Sequence, residues 1–408
     1  MADRPRLIRV STIPAFLWSF VDGQARFMAE KGFEVHGVAS PGPVLDRFGE
    51  REGVSVHAVP MYRRISPGAD LVGMARLTRL FRGLRPHIVH GSTPKAAALS
   101  MYAAALARVP VRIYHAPGLR WWTLGGLRRR LLMAAQRRAC ALADAVLCAG
   151  PSVRDALVEH RICPADRTIV LGHGHTNGVD ARGRFDPAAL AAGTRQRVRA
   201  QLGIPPNAVV VGFVGRLTGD KGIEQLTRAW PLIHDCDPAA HLLLAGDFEE
   251  FDPVSAQCRE LLSADPSVTL VGWIDDVVPI YAAMDICIIP THREGFPTIA
   301  LEAGAMGLPV VGTNAIGCID AIVQGETGVM VEVGDTSGLV AAVSAYLDDA
   351  DLRRRHGAAG RERVVRHFDR ELIWREMRDH YVRLLAERGL PLPAAAPTAD
   401  PAHRPAAS

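Results

Sequence analysis

The sequence lacks the signatures of several protein classes. Its seven cysteines are scattered, without a Cys-x-x-Cys pair or a Cys/His cluster at metal-ligand spacing. No segment approaches the ~20 consecutive apolar residues that a membrane-spanning helix needs. The formal net charge is only +4, which does not indicate a nucleic-acid partner. Scattered thiols suit a reducing cytoplasm, and without a span or an export signal any work at a membrane is predicted to take place at its surface.

The N-terminal segment loosely resembles a signal peptide, because a basic start precedes an apolar stretch. Pro14 interrupts that stretch, Asp22 ends it, and no small-residue cleavage site follows. We therefore predict a strand at residues 7–10, then a loop, then a helix at residues 24–31.

Short apolar segments alternate with helix-like segments along the whole chain. Thirteen of these segments are predicted strands: LIRV, EVHGVAS, VSVHAV, HIVHG, VRIYH, AVLCAG, TIVLG, AVVVGFVG, HLLLAG, VTLVG, ICIIP, PVVGT and GVMVE. The alternation predicts parallel sheets covered by helices, and 408 residues suit two such domains. Ligands of these sheets bind beyond the carboxyl ends of the strands, so the expected site is the cleft between the two sheets.

Two glutamates stand eight positions apart near a predicted helix start. Glu294 is followed by a Gly-aromatic-Pro turn, and the helix that opens at Thr298 carries Glu302 among apolar residues. Proline is favourable at a helix start, where the first backbone N–H groups have no partner within the helix. A carboxylate beside free amides suits a hydroxyl-rich ligand such as a nucleotide sugar. The alternative for Glu294 is a carboxylate that only complements the helix dipole.

A second motif follows the apolar strand AVVVGFV. Arg216 and Lys221 flank a glycine-containing turn, and the segment GIEQLTRAW is predicted to be a helix. A strand, a loop with cations and a helix start together suit a diphosphate. The alternative is a pair of solvated surface charges.

These motifs resemble the retaining glycosyltransferases of family 4. The resemblance rests on GRLTGDKG at residues 215–222, on the Glu294 and Glu302 pair, and on GLPVVGTNAIGCIDAIVQGETGVMV at residues 307–331. In the first half, HGSTPKAA, YHAPGLR and NGVD are similar to the bacterial subgroup that builds capsule, exopolysaccharide and lipopolysaccharide on polyprenyl carriers. The first strand–helix turn departs from the family, since it lacks the glycine-rich sequence that many relatives have.

The resemblance implies a GT-B fold, in which two Rossmann-like α/β/α domains face each other across a cleft. It predicts an acceptor-binding domain at residues 1–185, a linker at 186–206 and a nucleotide-sugar-binding domain at 207–368. A helix at residues 369–388 is expected to cross back to the first domain. The Pro/Ala-rich tail at residues 389–408 is predicted to be disordered, because it cannot form a packed core.

The resemblance also implies roles for individual residues. The predicted catalytic residues are Glu294, His115, Arg216 and Lys221, where a histidine at the position of His115 contacts the donor sugar in the family. The predicted donor-binding residues are Arg216, Lys221, Glu294, Gly295, Phe296, Pro297, Thr298 and Glu302. Arg216 and Lys221 would neutralise the diphosphate, and Glu302 would accept hydrogen bonds from ribose hydroxyls. For His115 a purely structural role is the alternative.

Two further groups of residues are assigned to acceptor binding and to membrane contact. Ser92 and Lys95 lie where a strand ends and a helix opens, so they would receive an acceptor phosphate or simply belong to a capped helix start. A basic segment with an apolar stripe would contact an anionic membrane or pack on the sheet. Its predicted membrane residues are Trp121, Trp122, Arg128, Arg129 and Arg130.

The predicted activity is retaining transfer of a sugar from a nucleoside diphosphate sugar, with UDP expected, to a glycan hydroxyl on a polyprenyl diphosphate. No Asp-x-Asp motif stands where a metal would bridge the diphosphate, so no metal cofactor is expected. The expected location is cytoplasmic, peripheral on the inner face of the plasma membrane. The alternatives are a nucleotide-sugar epimerase of the same fold, a transferase with a soluble acceptor, and a binding protein without turnover.

Overall fold

The computed structural model describes residues 4–64, 66–250 and 252–394, and the strands within these ranges form two sheets. In the first sheet the strand order is β3-β2-β1-β4-β5-β6-β7. Its strands are Arg6–Val10 (β1), Glu34–Ala39 (β2), Ser55–Ala58 (β3), Ile88–Gly91 (β4), Val111–Ala116 (β5), Ala145–Cys148 (β6) and Thr168–Ile169 (β7). Strand β1 pairs in parallel with β2 on one side and with β4 on the other.

The second sheet has the strand order β10-β9-β8-β11-β12-β13. Its strands are Val209–Val214 (β8), Ala240–Ala245 (β9), Val268–Gly272 (β10), Ile286–Ile289 (β11), Val310–Thr313 (β12) and Gly328–Val331 (β13). All its pairings are parallel. Parallel sheets carry helices on both faces, which explains why strands such as β11 are continuous apolar runs with every residue buried.

Helices connect the strands in the manner of successive βαβ units. They are Pro14–Phe20 (α1), Gln24–Glu30 (α2), Pro43–Glu52 (α3), Pro67–Leu84 (α4), Pro94–Leu106 (α5), Gly126–Leu142 (α6), Pro151–Glu159 (α7), Thr194–Gln201 (α8), Ile223–Cys236 (α9), Ala256–Ala264 (α10), Val278–Ala283 (α11), Thr298–Ala305 (α12), Cys318–Ala321 (α13), Thr336–Asp348 (α14), Ala350–His367 (α15) and Arg370–Ala386 (α16). No helix among the described residues has the length and apolar character needed to cross a bilayer.

The backbone contacts divide the chain into two compact units. Among the described residues, the first unit comprises residues 4–115, 135–146 and 376–394, and the second comprises residues 116–134 and 147–375. The division falls within α16. In the sequence, the predicted linker lies between the strands of the first sheet, which end at Ile169, and those of the second sheet, which begin at Val209. The domain division at residues 186–206 nevertheless stays a prediction.

The predicted α/β fold is confirmed, and each of the thirteen predicted strand segments contains a strand. The loop expected after β1 is wrong in part, because residues 14–20 form α1 with Pro14 in its first turn. The predicted final helix corresponds to α16. Most of the predicted disordered tail lies outside the described residues, which end at residue 394.

Candidate active site

The candidate site lies in the second unit, where the strand order of its sheet reverses between β8 and β11. Such a switch point opens a crevice at the carboxyl ends of two neighbouring strands, because their connections run in opposite directions. The loop after β8 contains Arg216 and Lys221, and the loop after β11 contains Glu294. The sheet topology therefore brings the two predicted motifs together, although they are separated by 73 positions.

Gly222 fixes the geometry of the loop that follows β8. It has φ +74° and stands directly before α9. A Cβ atom at this position would lie 1.8 Å from the carbonyl oxygen of Pro290, so the two loops touch backbone to backbone. The Asp220 amide also donates to the Asp252 carboxylate over 2.7 Å. Lys221 is consequently held between two anchored residues.

Lys221 and Glu294 form an ion pair. The Lys221 Nζ donates to Glu294 Oε1, and their side chains are 22% and 14% exposed. The Glu294 backbone amide donates to the Ile316 carbonyl over 3.0 Å, which orients the residue at the mouth of α12. Both charges are partly desolvated, and each compensates the other. A ligand with a larger negative charge would compete with Glu294 for the ammonium.

The other cations of the site also have carboxylate partners. Arg216 Nη1 donates to Glu249 Oε2 over 2.7 Å at the rim, where about half of the arginine side chain is exposed. Arg293 forms an ion pair with Asp220. Neither Glu249 nor the Arg293–Asp220 pair has a local sequence pattern that would predict its contact.

The start of α12 is oriented by a histidine that sequence analysis did not identify. His175 Nδ1 accepts from the Gly178 amide over 2.8 Å, so the proton of the neutral ring resides on Nε2. Nε2 lies 3.0 Å from Thr298 Oγ1 and donates to it. Burial lowers the pKa of His175 to about 4, which keeps the ring neutral at physiological pH.

Gly295 and Phe296 have packing roles at the turn before α12. A Cβ atom on Gly295 would lie 1.3 Å from the Pro117 carbonyl oxygen, so only glycine fits against that loop. The Phe296 ring is 8% exposed and lies 5.6 Å from the His175 ring and 5.4 Å from the Phe368 ring. The side chain of Phe296 is therefore part of the core. Pro297 is the N-cap of α12, and the first backbone N–H groups of a helix have no acceptor within the helix.

Glu302 lies in the second turn of α12, where it accepts a hydrogen bond from Tyr281. The Tyr281 hydroxyl donates to Oε2 over 2.7 Å. Burial raises the pKa of Glu302 from 4.5 to about 7, against the opposing effects of Tyr281 and Arg184. The raised pKa means that this carboxyl group holds its proton more tightly than an exposed glutamate does. Nothing in the sequence around Tyr281 predicts its contact with Glu302.

Replacing Glu302 with glutamine is expected to stabilise the protein at alkaline pH. The folded state retains a proton between pH 4.5 and about 7 that the unfolded state releases, so stability falls as pH rises through this window. Glutamine retains an acceptor for Tyr281 and cannot ionise. The gain in unfolding free energy should grow from near zero at pH 4.5 to about 3 kcal/mol at pH 8. Denaturant unfolding of the wild type and Glu302→Gln at several pH values measures this difference. A difference in unfolding free energy that does not change with pH would contradict the raised pKa of Glu302.

His115 lies at the end of β5 in the first unit and is buried. Its ring is 5.5 Å from the ring of His90 in an edge-to-face arrangement. The structure places His115 at a strand end, as the sequence predicts, and its contact with a donor sugar stays a prediction.

The structure does not present Ser92 to a ligand. Its side chain is fully buried, and its hydroxyl accepts from Arg9 Nη2 over 3.4 Å. This burial contradicts the expectation that Ser92 receives an acceptor phosphate. Lys95 forms an ion pair with Asp70 and donates to the Arg64 carbonyl over 2.5 Å. A phosphate would have to compete with that carboxylate, and the acceptor role of Lys95 stays a prediction.

The predicted membrane segment is divided between buried and exposed residues. Trp121 is 1% exposed and its ring lies 5.1 Å from that of His160, so the expectation that it contacts a membrane is wrong for this structure. The guanidinium of Arg129 lies 5.6 Å from the Trp121 ring. Trp122 is partly exposed, and Arg128 and Arg130 are exposed on α6. Within the part of the chain that the structure describes, no group of three or more His, Cys, Asp or Glu side chains is arranged to hold a metal.

The sequence of the chain matches family models and characterised relatives. The family model described as glycosyl transferases group 1 matches residues 208–349, and the model described as glycosyltransferase family 4 matches residues 19–180. The capsular polysaccharide biosynthesis glycosyltransferase CapM of Staphylococcus aureus is 31% identical over 365 residues, which cover 90% of this chain and 94% of CapM.

Two further matches extend the comparison. The lipopolysaccharide core biosynthesis glycosyltransferase LpsE of Rhizobium meliloti (strain 1021) is 35% identical over 190 residues, which cover 47% of this chain and 53% of LpsE. The crystal structure of Anabaena HepE in complex with UDP-glucose shares the fold, with a TM-score of 0.73, 20% identity and coverage of 92% of this chain and 99% of HepE. The chain is a glycosyltransferase with the GT-B fold and belongs to glycosyltransferase family 4.

Proposed function

We propose that this glycosyltransferase transfers a sugar, with retention of anomeric configuration, from a nucleoside diphosphate sugar to a hydroxyl of a glycan acceptor. The proposed donor is a UDP-sugar, and the proposed acceptor is a glycan on a polyprenyl diphosphate used for bacterial surface polysaccharide. The observation that carries the proposal is the Lys221–Glu294 ion pair at the mouth of α12. A cation, a carboxylate and free helix amides at one switch point suit a diphosphate joined to a sugar.

Donor binding is proposed to exchange the partners of this ion pair. A diphosphate carries more negative charge than one carboxylate and also accepts hydrogen bonds from the amides of the helix start. Lys221 would therefore turn from Glu294 to the diphosphate, and the half-exposed Arg216 would leave Glu249 to join it. Glu294, released from its cation, would accept hydrogen bonds from the hydroxyls of the sugar.

The same cations would stabilise the departing nucleoside diphosphate. As the bond between the anomeric carbon and the phosphate oxygen breaks, negative charge develops on that oxygen, and Lys221 and Arg216 would offset it. The acceptor hydroxyl would attack the anomeric carbon from the face that the diphosphate leaves, and the departing oxygen would take its proton. This front-face path retains the configuration without a protein nucleophile. His115 is proposed to contact the donor sugar.

Glu302 is proposed to bind the ribose of the donor. Its carboxylate has room for two hydroxyl donors, and the Tyr281 hydroxyl already fixes one of its oxygens. Ribose hydroxyls would favour the ionised form and would thus lower the raised pKa of Glu302. We propose that no metal is needed, because Lys221, Arg216 and the helix amides supply the positive charge. Turnover that survives EDTA supports this, and turnover restored only by added Mg²⁺ or Mn²⁺ contradicts it.

The acceptor and donor classes draw support from the relatives. CapM and LpsE are named for capsular polysaccharide and lipopolysaccharide core biosynthesis, respectively, and the HepE crystal contains UDP-glucose. These names motivate a polysaccharide acceptor and a UDP-sugar donor for this chain.

Peripheral contact with an anionic membrane is proposed for the exposed side of α6. Residues 120–142 contain six arginines and no acidic residue. Leu127 and Leu131, one helical turn apart, are 71% and 60% exposed beside Arg128 and Arg130. Exposed leucines between cations suit the headgroup region of anionic lipid. Co-sedimentation with phosphatidylglycerol vesicles but not with phosphatidylcholine vesicles supports this contact, and equal recovery in both supernatants contradicts it.

The test of the proposed function is nucleoside diphosphate release from a panel of UDP-, GDP- and ADP-sugars. Each donor is incubated with and without a bacterial extract of polyprenyl-diphosphate-linked glycans. Release that requires a UDP-sugar and the extract supports the proposal. Conversion of a donor into an isomer without acceptor would favour the epimerase, and release with a soluble sugar alone would favour the soluble acceptor. Tight nucleotide binding without turnover would leave a binding protein.

A further inference from the structure

A buried polar cluster in the first unit lies outside the site described above. Arg9 on β1 donates from Nη1 to Gln24 and to the Tyr381 hydroxyl, the latter over 3.3 Å, and from Nη2 to Ser92. Arg9 is 4% exposed, and its hydrogen-bond partners among the described residues include no carboxylate. Because a guanidinium stays charged at any physiological pH, this burial is costly for folding, and an apolar residue would pack here at a lower cost.

The Tyr381 hydroxyl links Arg9 to a buried histidine. Arginine has only donors, so the Tyr381 oxygen accepts from Arg9 and its own proton is available for His90. The Tyr381 hydroxyl lies 2.6 Å from His90 Nδ1. With the Tyr381 proton directed to His90, we assign Nδ1 as the acceptor and Nε2 as the atom that carries the proton of the neutral ring. Burial, with Arg9 as the next contribution, holds the pKa of His90 well below its usual value and keeps the ring neutral.

His90 is the neighbour of His115 across two adjacent strands. Strands β4 and β5 pair in parallel, and the two histidines lie near the carboxyl ends of these strands. Their rings contact edge to face, with centroids 5.5 Å apart and an angle of 77° between the planes. A fixed His90 ring therefore restricts the orientation that His115 can adopt.

We propose that Arg9, Tyr381 and His90 form a positioning chain that holds the His115 ring in its orientation for the donor sugar. These residues connect β1, α16 and β4 to His115 on β5, so α16 fixes a residue at the end of a central strand. The inference rests on the proposed function of His115. None of the three residues needs to touch the substrate, because each acts through the next.

The structure supplies a matched control for testing this chain. Tyr346 of α14 makes the same kind of contact in the second unit, with its hydroxyl 2.6 Å from His356 Nδ1. Tyr346 and Tyr381 are both fully buried. Replacing either tyrosine with phenylalanine thus removes one hydroxyl from a buried Tyr–His pair, but only Tyr381 leads to His115.

Tyr381→Phe is expected to lower kcat about tenfold while the KM for the donor stays within about twofold, because misorientation of a positioned group reduces the rate of the chemical step. Tyr346→Phe should leave both constants within about twofold. In a His115→Ala background the effect of Tyr381→Phe should disappear, because the two residues act as one unit. An equal loss of kcat in both backgrounds would overturn the proposal.

A second readout does not depend on turnover. With ¹⁵N-labelled histidine, the ring nitrogen signals of His115 should shift in Tyr381→Phe and stay in place in Tyr346→Phe. Unchanged His115 signals in Tyr381→Phe would overturn the positioning chain, whether or not the wild-type enzyme releases nucleotide. If the wild-type protein shows no turnover but the His115 signals shift in Tyr381→Phe, the positioning chain is supported and only the proposed function is contradicted. Should Tyr381→Phe not fold, His90→Gln removes the ring contact and retains an acceptor for Tyr381, with the same expected shift of His115.

Discussion

Replacing Lys221 with alanine is expected to reduce the rate of sugar transfer by about 10²–10³-fold, because the departing diphosphate loses its closest proposed cation. The loss should appear in kcat as well as in kcat/KM, since the charge that Lys221 offsets grows as the bond breaks. Initial rates of nucleoside diphosphate release at several donor concentrations measure both constants. Turnover within a few-fold of the wild type would contradict this role.

Two companion variants separate catalysis from folding in the Lys221 experiment. Lys221→Ala leaves the largely buried Glu294 carboxylate without its cation, so part of any loss reflects lower stability. The double variant Lys221→Ala/Glu294→Gln removes the unpaired charge and should recover stability without recovering the rate. Arg375→Ala breaks an exposed ion pair with Glu371 on α16 and should change neither property appreciably.

Gly222→Ala is expected to destabilise the protein severely and to inactivate it. The new Cβ would lie 1.8 Å from the Pro290 carbonyl oxygen, which forces the loops after β8 and β11 apart. The positive φ adds a strain of about 1–2 kcal/mol for alanine. Together these effects should lower the unfolding free energy by about 3 kcal/mol or more. Because Lys221 directly precedes Gly222, the variant protein that still folds should also transfer sugar about 10²-fold more slowly.

Gly307→Ala is the matched control for that substitution. Gly307 has φ +75°, almost the same as Gly222, but no atom lies within 4 Å of the position that a Cβ would occupy. Gly307→Ala should therefore lower the unfolding free energy only by the strain of the backbone conformation, about 1–2 kcal/mol. Denaturant unfolding of both variants measures the difference. Equal destabilisation of the two would contradict the contact between the loops.

The fold was predictable because the signals that define it are local. Each strand is a short apolar run between turn residues, so strands such as β8 and β11 can be identified without tertiary information. The cations at the end of β8 and the glutamates around α12 were predictable for the same reason, since strand ends and helix starts have local sequence patterns. Helix α1 was missed because Pro14 also suits a loop.

The contacts within the site were not predictable, because they depend on tertiary packing. The Lys221–Glu294 and Tyr281–Glu302 contacts join residues that are far apart in sequence. Residue type and spacing predict neither the raised pKa of Glu302 nor the burial of Trp121. Residue type suggested donor binding for Glu302 and membrane contact for Trp121, whereas burial decides how each side chain can act.

The stereochemistry of the product tests the central claim most directly. Front-face transfer at the Lys221–Glu294 site predicts that the new glycosidic bond has the same anomeric configuration as the donor. ¹H NMR of the isolated product, read from the coupling constant of the anomeric proton, distinguishes the two configurations for a sugar with an axial H-2. A product of the donor's configuration is the predicted result. A product of the opposite configuration would contradict front-face transfer and would require a separate base for the acceptor hydroxyl.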